Sequence, residues 1–488
     1  MLKSLFRLVK HSAIYGVGHI LSRFIGFLLL PIHTNYILPD EYGVYVLGYA
    51  FIPFAAIFYS FGINSAQLRF YINAEEKAEK DRIFGTSFLA TLFISTAFSL
   101  SLLIFSDQVS GLVFGSTNHA DLVRLSAGIL TFDALSLLLF NILRAEEKSV
   151  QFIVYSTVNI LLNITLNIIL IVGLNKGIDG IFTANLVASV VTCLILAFTN
   201  ISAFKTTFSR QTLAELFNFG LPIIPSTLAM IILTVIDRFI IKKILGNEAV
   251  GIYGAGYKLG MFMSLLVTGF RYAWFPFSLS TASEDDAKEI FAKVLTYFIF
   301  ICTAVFLAIS LFIPEIIRFK IFGLTLFGEE YWTSASIVPL ILASYIFYGI
   351  YLNFQIGVYL NNKTTYLMLS GGAGAILNVA LNYILIPRMG IMGAAYATLV
   401  SYVFMAFLFY AMAKHLYPVK YEWWRIIKVM VTGFLLFVMG TLSYAELSLL
   451  HRTGIFIAYF PVLYFIGFFD KREISVLANY IRRHTWQN

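Results

Sequence analysis

The sequence predicts an all-α integral membrane protein of about 14 transmembrane helices, two parallel six-helix repeats followed by two C-terminal helices. Three observations carry this fold class. The 488 residues are 59% hydrophobic and only 12% charged, with a mean hydropathy of +0.83, whereas a soluble core of this size would still be wrapped in charged surface. The apolar runs, about 18 residues or longer, are continuous and rich in Leu, Ile and Phe, where a membrane barrel would alternate in segments of about ten. Finally, two blocks recur. Ile37-Leu38-Pro39-Asp40-Glu41-Tyr42-Gly43-Val44-Tyr45 returns as Ile244-Leu245-Gly246-Asn247-Glu248-Ala249-Val250-Gly251-Ile252-Tyr253. Leu162-Asn163-Ile164-Thr165-Leu166-Asn167 returns as Leu377-Asn378-Val379-Ala380-Leu381-Asn382, and each copy precedes a Gly-x-x-Gly turn, Gly177/Gly180 and Gly390/Gly393. Shared order at a shared separation of roughly 210 residues marks a duplication.

Taken in order, the elements begin with Lys3, Arg7 and Lys10 before an apolar stretch that resembles a secretory signal. The stretch continues through Pro31 without a small-residue cleavage site, so it reads as an uncleaved first span. Polar or turn-rich breaks then give spans at 12–37, 43–67, 84–105, 121–143, 151–173, 179–203, 215–241, 251–278, 290–317, 333–360, 365–387, 391–413, 426–445 and 452–469. No soluble domain fits between them, since the longest breaks, Ser106 to Asp121 and Phe319 to Trp332, are short. The organisation expected is an N-terminal lobe over 1–210, a C-terminal lobe over 211–415, and two further helices with a basic tail over 416–488.

Lys and Arg concentrate at the N-terminus, around Lys77 to Arg82, in Arg144 to Lys148, at Lys205/Arg210, in Lys414 to Lys428 and in the tail. These segments fall on one side, which should be cytoplasmic, with both termini inside. The net charge of +8 is spread along the chain and reflects this topology rather than nucleic-acid binding. The matched blocks follow the first and seventh spans, and the Asn-rich blocks lie in the fifth and eleventh. Six spans separate each pair, an even number, so the halves enter the membrane in the same sense and are parallel repeats facing a central cavity. Cys193 and Cys302 lie inside apolar runs and read as packing residues.

Charges within the spans are the candidate functional residues. Ser12, Gly16, His19, Arg23, Gly26 and His33 form one wet stripe along the first span. Arg23 lies about 16 Å along that helix, near midplane and too deep to snorkel easily, and is read as a cavity-lining cation in preference to a structural ion pair. Lys258 and Arg271 share the eighth span but lie about 20 Å apart along it. Lys258 is the cavity candidate, and Arg271 serves the cytoplasmic mouth or snorkels. Asp133, in mid fourth span, must pair with a cation or be protonated, and is a candidate for H+ or Na+ coupling as much as for a fixed salt bridge. Asp237-Arg238 ends the seventh span. Adjacent helical residues diverge, so the pair is not expected to bridge to itself, and both residues are expected to reach the interface.

Asn159, Asn163 and Asn167 line one face of the fifth span, repeated in part by Asn378 and Asn382. They suit sugar hydroxyls, although interhelical hydrogen bonding is the commoner use. Ser283-Glu284-Asp285-Asp286 reads as a solvated connector, and no metal spacing or phosphate-binding glycine loop appears. In the register of the matched blocks Arg23 falls opposite Met230, and Lys258 and Arg271 fall opposite uncharged residues. The scaffold is symmetric and its charges are not, so function is expected where the copies differ.

The duplicated plan, the Leu245-Gly246-Asn247-Glu248-Ala249-Val250-Gly251-Ile252-Tyr253 block after Asp237-Arg238-Phe239, and the opening stretch through Pro39-Asp40-Glu41-Tyr42-Gly43 resemble bacterial polysaccharide-biosynthesis membrane proteins of the Wzx type. These are oligosaccharide-lipid flippases of the multidrug/oligosaccharidyl-lipid/polysaccharide exporter superfamily. The resemblance implies a multi-pass protein of the bacterial cytoplasmic membrane that works by alternating access on an undecaprenyl-pyrophosphate-linked oligosaccharide. It also implies contact with membrane lipids and with polysaccharide polymerase machinery, no cofactor and no enzymatic step. Pyrophosphate would meet Arg23, with His19 and Lys258 in support. The related peptidoglycan lipid flippases use cations in the first and eighth spans, matched here in type. They carry a further arginine within the second span, where this sequence has none before Arg69. The rival within the superfamily is a cation-coupled drug antiporter of the MATE kind, which needs embedded carboxylates; Asp133 alone supports it. A membrane polymerase or glycosyltransferase would need a large outer loop or acidic catalytic residues, and the outer loops are too short.

Overall fold

The structure is a computed structural model that describes residues 27–201, 204, 207–361, 363–441 and 448–470. Twelve helices among the described residues are long and apolar enough to cross a membrane, and a shorter apolar helix follows them. The first span expected from the sequence is described only at its end, α1 (Leu30–Tyr36). In the first repeat it is followed by α2 (Pro39–Ser60), α3 (Ile63–Asn73), α4 (Lys77–Ile104), α5 (Ser106–Phe114), α6 (Ala120–Ala145), α7 (Ser149–Asn167) and α8 (Gly177–Thr199). In the second come α9 (Arg210–Gly220), α10 (Ile224–Leu245), α11 (Asn247–Thr281), α12 (Ala287–Leu311), α13 (Ile313–Arg318), α14 (Val338–Asn353), α15 (Ile356–Leu360), α16 (Thr365–Met389) and α17 (Ile391–Ala413). The last two are α18 (Trp423–Thr441) and α19 (Leu449–Phe465).

Three local features depart from the spans read off hydropathy. The second span starts earlier, because Pro39 presets the first helical turn and Asp40 and Glu41 face the positive end of the helix dipole. It then breaks at Phe61 and Gly62, both with positive φ, before continuing as α3. This break packs directly on the Gly220–Pro222 bend between α9 and α10, where a Cβ added to Gly62 would lie 2.5 Å from the Gly220 carbonyl oxygen. As a result α9, though it opens the second repeat, packs on α3 and α4 of the first. Secondly, α7 passes at Asn167 into a π-helical stretch over Ile168–Gly173, which the second repeat lacks at the end of α16. Thirdly, the break after α13 holds a small antiparallel hairpin, β1 (Lys320–Ile321) with β2 (Leu324–Thr325). Phe322 and Gly323 both take positive φ, as a two-residue primed turn requires.

The two repeats meet through α2 and α11. Aligning Gly43 on Gly251 also aligns Pro39 on Asn247, Tyr45 on Tyr253 and Tyr49 on Tyr257. The contact is reciprocal: a Cβ on Gly43 would fall onto the Asn247 carbonyl, and one on Gly251 onto the Pro39 carbonyl. Small residues let two backbones touch where lipid offers no hydrophobic drive to hold helices together. Around this crossing the hairpin region of the second repeat is tied to α1. Asn35 Nδ2 donates to the Thr325 carbonyl at 2.7 Å, the Gly328 amide to Thr34 Oγ1 at 3.1 Å, and the Tyr331 hydroxyl to the Ile37 carbonyl at 2.8 Å. The last helices pack outside the second repeat on α12, where Arg452 Nη2 pairs with Glu315 Oε1 at 2.6 Å.

Overpacking a close contact costs about 1–3 kcal/mol. Gly43→Ala and Gly251→Ala are therefore expected to lower the melting temperature in detergent, followed by a thiol-reactive dye on the buried Cys193 and Cys302. Gly372→Ala, where an added Cβ meets open space, should leave the melt unchanged or slightly raised.

Candidate functional site

Tyrosines of α2 and of α11 each surround one cation, and Tyr45 on α2 has its counterpart in Tyr253 on α11. In the second repeat the cation is Arg238. Its Nη1 pairs with Asp237 Oδ1 at 2.7 Å, and its guanidinium lies 4.3 Å from the centre of the Tyr257 ring and 5.8 Å from that of Tyr253. The Tyr253 hydroxyl donates to the other carboxylate oxygen of Asp237 at 2.5 Å. Both charged residues are buried. This corrects the expectation that the pair would not bridge to itself and would reach the interface. The Arg238 amide donates to Asp237 Oδ1 at 2.9 Å, turning the carboxylate toward its neighbour, and the long guanidinium arm folds back to meet it. The helix also continues to Leu245, which leaves the pair about 12 Å from its end.

In the first repeat the cation is Lys258, which comes from the opposite repeat. Its Nζ donates to the Tyr45 hydroxyl at 3.2 Å and lies 4.9 Å from the Tyr45 ring centre and 5.4 Å from that of Tyr42. No carboxylate among the described residues reaches ion-pair distance of it. His33 completes the cluster, with its ring 5.4 Å from Tyr45 and 6.3 Å from Tyr42. His33 Nε2 meets Asn167 Oδ1 at 3.1 Å. The Asn167 amide nitrogen is committed to Asn163, to its Oδ1 at 2.9 Å and its carbonyl at 2.8 Å, so Nε2 carries the hydrogen and Nδ1 is left as an acceptor. His33 Nδ1 and the Tyr42 hydroxyl are both buried without a hydrogen-bond partner among the described residues. Each such group costs about 1–3 kcal/mol.

Asn378 and Asn382 reproduce the asparagine pair, with Asn382 Nδ2 donating to Asn378 Oδ1 at 3.0 Å. There the histidine's place is taken by Ile240 in the register of the blocks, and Asn382 Oδ1 has no partner among the described residues. Asn159 instead bridges helices, its Nδ2 donating to Thr192 Oγ1 at 2.9 Å. Asp133 opens into a cavity of about 250 Å³ between α6, α7 and α8, lined also by Ser136, Ser156, Asn159, Ser189 and Thr192. Among the described residues it forms no ion pair, so the salt-bridge alternative finds no partner there.

Arg271 lies farther along α11, exposed and near Tyr359, and the structure does not bring it to Lys258. His19 and Arg23 lie outside the described residues.

Residues 8–282, more than half of the chain, match the family described as "Polysaccharide biosynthesis protein". This chain belongs to that family. It is 24% identical over 408 residues to a "Putative O-antigen transporter" of Shigella flexneri, covering 80% of this chain and 93% of that one. It is 22% identical over 490 residues to a "Probable low-salt glycan biosynthesis flippase Agl15" of Haloferax volcanii, covering 99% and 98%. Among solved structures, the lipid II flippase MurJ in an inward closed conformation superposes with a TM-score of 0.75 at 16% identity, over 92% of this chain and 97% of that one. A multidrug resistance MATE family transporter in an inward-facing conformation gives 0.61 at 16% identity, over 85% and 99%. At these identities the structural likeness is one of fold.

In this family member the sequence reading passed over the tyrosines and placed His33 only in a polar stripe. The signal was available, since Tyr45/Tyr253 and Tyr49/Tyr257 survive in both copies of a diverged repeat. Removing one partner of a buried pair is expected to cost about 3–5 kcal/mol. Arg238→Met should therefore lower thermal stability sharply, whereas Asp237→Leu/Arg238→Met should recover much of the loss in the same melts.

Proposed function

We propose that this protein is a flippase that carries a polyprenyl-pyrophosphate-linked oligosaccharide across the cytoplasmic membrane for cell-surface polysaccharide biosynthesis. The observation that carries the reading is Lys258, a half-buried ammonium between the repeats with no carboxylate beside it among the described residues. A drug-cation carrier would place negative charge there. An anion carrier needs fixed cations along a hydrated path, because a pyrophosphate cannot enter hydrocarbon unaided. The family match and the named roles of the O-antigen and glycan relatives support the same substrate class.

In this reading the lobes are residues 1–210 and 211–415, with 416–488 riding outside, and they rock about the α2–α11 crossing. Both termini lie in the cytoplasm in this reading, which the distribution of basic segments supports. The glycan and pyrophosphate enter the cavity from the cytoplasmic leaflet, undecaprenyl stays in the bilayer, and a polysaccharide polymerase receives the product outside. Arg23, with His19, takes the pyrophosphate near midplane, Lys258 takes it beneath the crossing, and Arg271 attracts it at the mouth. No bond is made or broken in the cargo.

Asp133, facing hydroxyls and an amide in its own cavity, is the coupling group for H+ or Na+. Oxygen donors around one carboxylate suit a small hard cation or a proton.

Loss of one charge-assisted contact is worth roughly a factor of ten or more. Arg23→Ala and Lys258→Ala should each slow transport of a lipid-linked oligosaccharide in proteoliposomes by about that factor while melting normally. Undiminished transport by either variant removes that residue from the path. Asp133→Asn should transport at a rate that no longer responds to an imposed pH or Na+ gradient; a preserved response assigns coupling elsewhere.

A further inference from the structure

Lys258, His33 and Tyr42 share one property: each is a place where the two copies differ. In the register of the blocks they fall opposite Ala50, Ile240 and Val250. Of the two tyrosines around Lys258, Tyr45 is shared by both copies and Tyr42 is not. Arg238 serves as an internal comparison, a cation held between two tyrosines, one of them the counterpart of Tyr45, but neutralised by Asp237 and with the neighbouring hydroxyl satisfied. A purely structural staple at Lys258 would be expected to look the same. Instead, the first-repeat cradle holds an ammonium without a described counter-ion and two fully buried polar atoms, His33 Nδ1 and the Tyr42 hydroxyl, without described partners.

The unmet hydrogen-bonding capacity is specific in kind. Lys258 has three N–H donors, of which the described contacts use one, on Tyr45. Tyr42 adds an O–H donor. His33 Nδ1 is an acceptor, since Nε2–H is spent on Asn167. An ionised diphosphate can satisfy the first two groups but not the third, because it has no hydrogen to give. A diphosphate joined to a sugar supplies both: anionic oxygens for Lys258 and Tyr42, and a ring hydroxyl next to the linkage for His33. The residues come from both repeats, Tyr42 beside Gly43 and Lys258 about two turns beyond Gly251 in the reciprocal contact, so relative movement of the repeats changes the space between them.

We infer that this seam is a recognition station for the glycosyl diphosphate junction of the cargo, in which Lys258 and Tyr42 hold phosphate oxygens and His33 reads the first sugar. The inference rests on the flippase reading and adds to it a residue that distinguishes a loaded carrier lipid from a bare one. The empty polyprenyl diphosphate then binds the station less well and competes less with the loaded lipid.

The test uses the full-length protein in detergent and two soluble probes, farnesyl diphosphate and glucosyl farnesyl diphosphate, with dissociation constants read by fluorescence quenching. Wild-type protein should bind the glucosyl probe about tenfold more tightly, the worth of one buried hydrogen bond. Equal binding of the two, or no saturable binding of either, overturns the station without recourse to any variant. His33→Phe should abolish the preference and leave farnesyl diphosphate binding unchanged. Tyr42→Phe and Lys258→Gln should weaken both probes, Lys258→Gln by about tenfold or more. If the preference survives His33→Phe in folded protein, the assignment of His33 is wrong. Transport of lipid-linked oligosaccharide, measured separately in proteoliposomes, keeps the two readings apart. Absent transport with the expected probe binding sinks the flippase and leaves the station, and active transport with equal probe binding does the reverse.

Discussion

The reciprocal contact of Gly43 with the Asn247 backbone and Gly251 with the Pro39 backbone sets the distance between the two halves of the molecule. In lipid, helices gain little from hiding apolar side chains, because the surroundings are equally apolar. What remains is close packing and hydrogen bonding, and both are concentrated at this crossing. Bringing α2 and α11 backbone to backbone also brings Lys258 onto Tyr45 and places Thr34 and Asn35 within reach of the hairpin region. A side chain at either glycine would separate all of these together. The geometry of the seam thus follows from two missing Cβ atoms.

Duplication explains why the crossing is reciprocal, and divergence explains why the two cradles differ. Each of α2 and α11 presents two tyrosines toward a cation, Tyr42 and Tyr45 toward Lys258 and Tyr253 and Tyr257 toward Arg238. In the second repeat the cation and its carboxylate are neighbours in one helix, so Arg238 is neutralised wherever the repeat moves. In the first, the cation belongs to the other repeat, so its contact with Tyr45 depends on how the two repeats sit. The first cradle therefore responds to the relative position of the halves and the second does not. The π-helical turn after Asn167 belongs to the same divergence, since it occurs beside the asparagine that orients His33 and is absent after Asn382.

The fold was legible because a membrane restricts the choices: continuous apolar runs of sufficient length must be helices, and an even number of spans between matched blocks makes the repeats parallel. The hairpin at 320–325 escaped because its strands are two residues each, too short for periodicity to register. At the site, charge was easy to find and partnership was not. Asp237-Arg238 was misjudged because spacing on a helical wheel ignores a side chain's reach and the amide of the next residue. The tyrosines were passed over because Tyr is common at membrane interfaces, and only agreement between the copies separates Tyr45 and Tyr49 from that background. Asn163 and Asn167 look alike in sequence to Asn378 and Asn382; what separates them is a histidine more than a hundred residues away in the chain.

The contrast between the two cations bears on how a carrier can hold an anion and still let it go. An ammonium withdrawn from water loses several kcal/mol of hydration, and an aromatic face returns only about 0.5–2 kcal/mol. Tyr42 and Tyr45 therefore leave Lys258 short of full compensation. A carboxylate beside it would close that gap, as Asp237 does for Arg238, but it would also compete with every phosphate that arrived. Ring faces are weak enough to be displaced and close enough to keep the ammonium in place meanwhile. A permanent partner suits a scaffold and an incomplete one suits a path, and in this chain the incomplete one lies on the seam between the repeats.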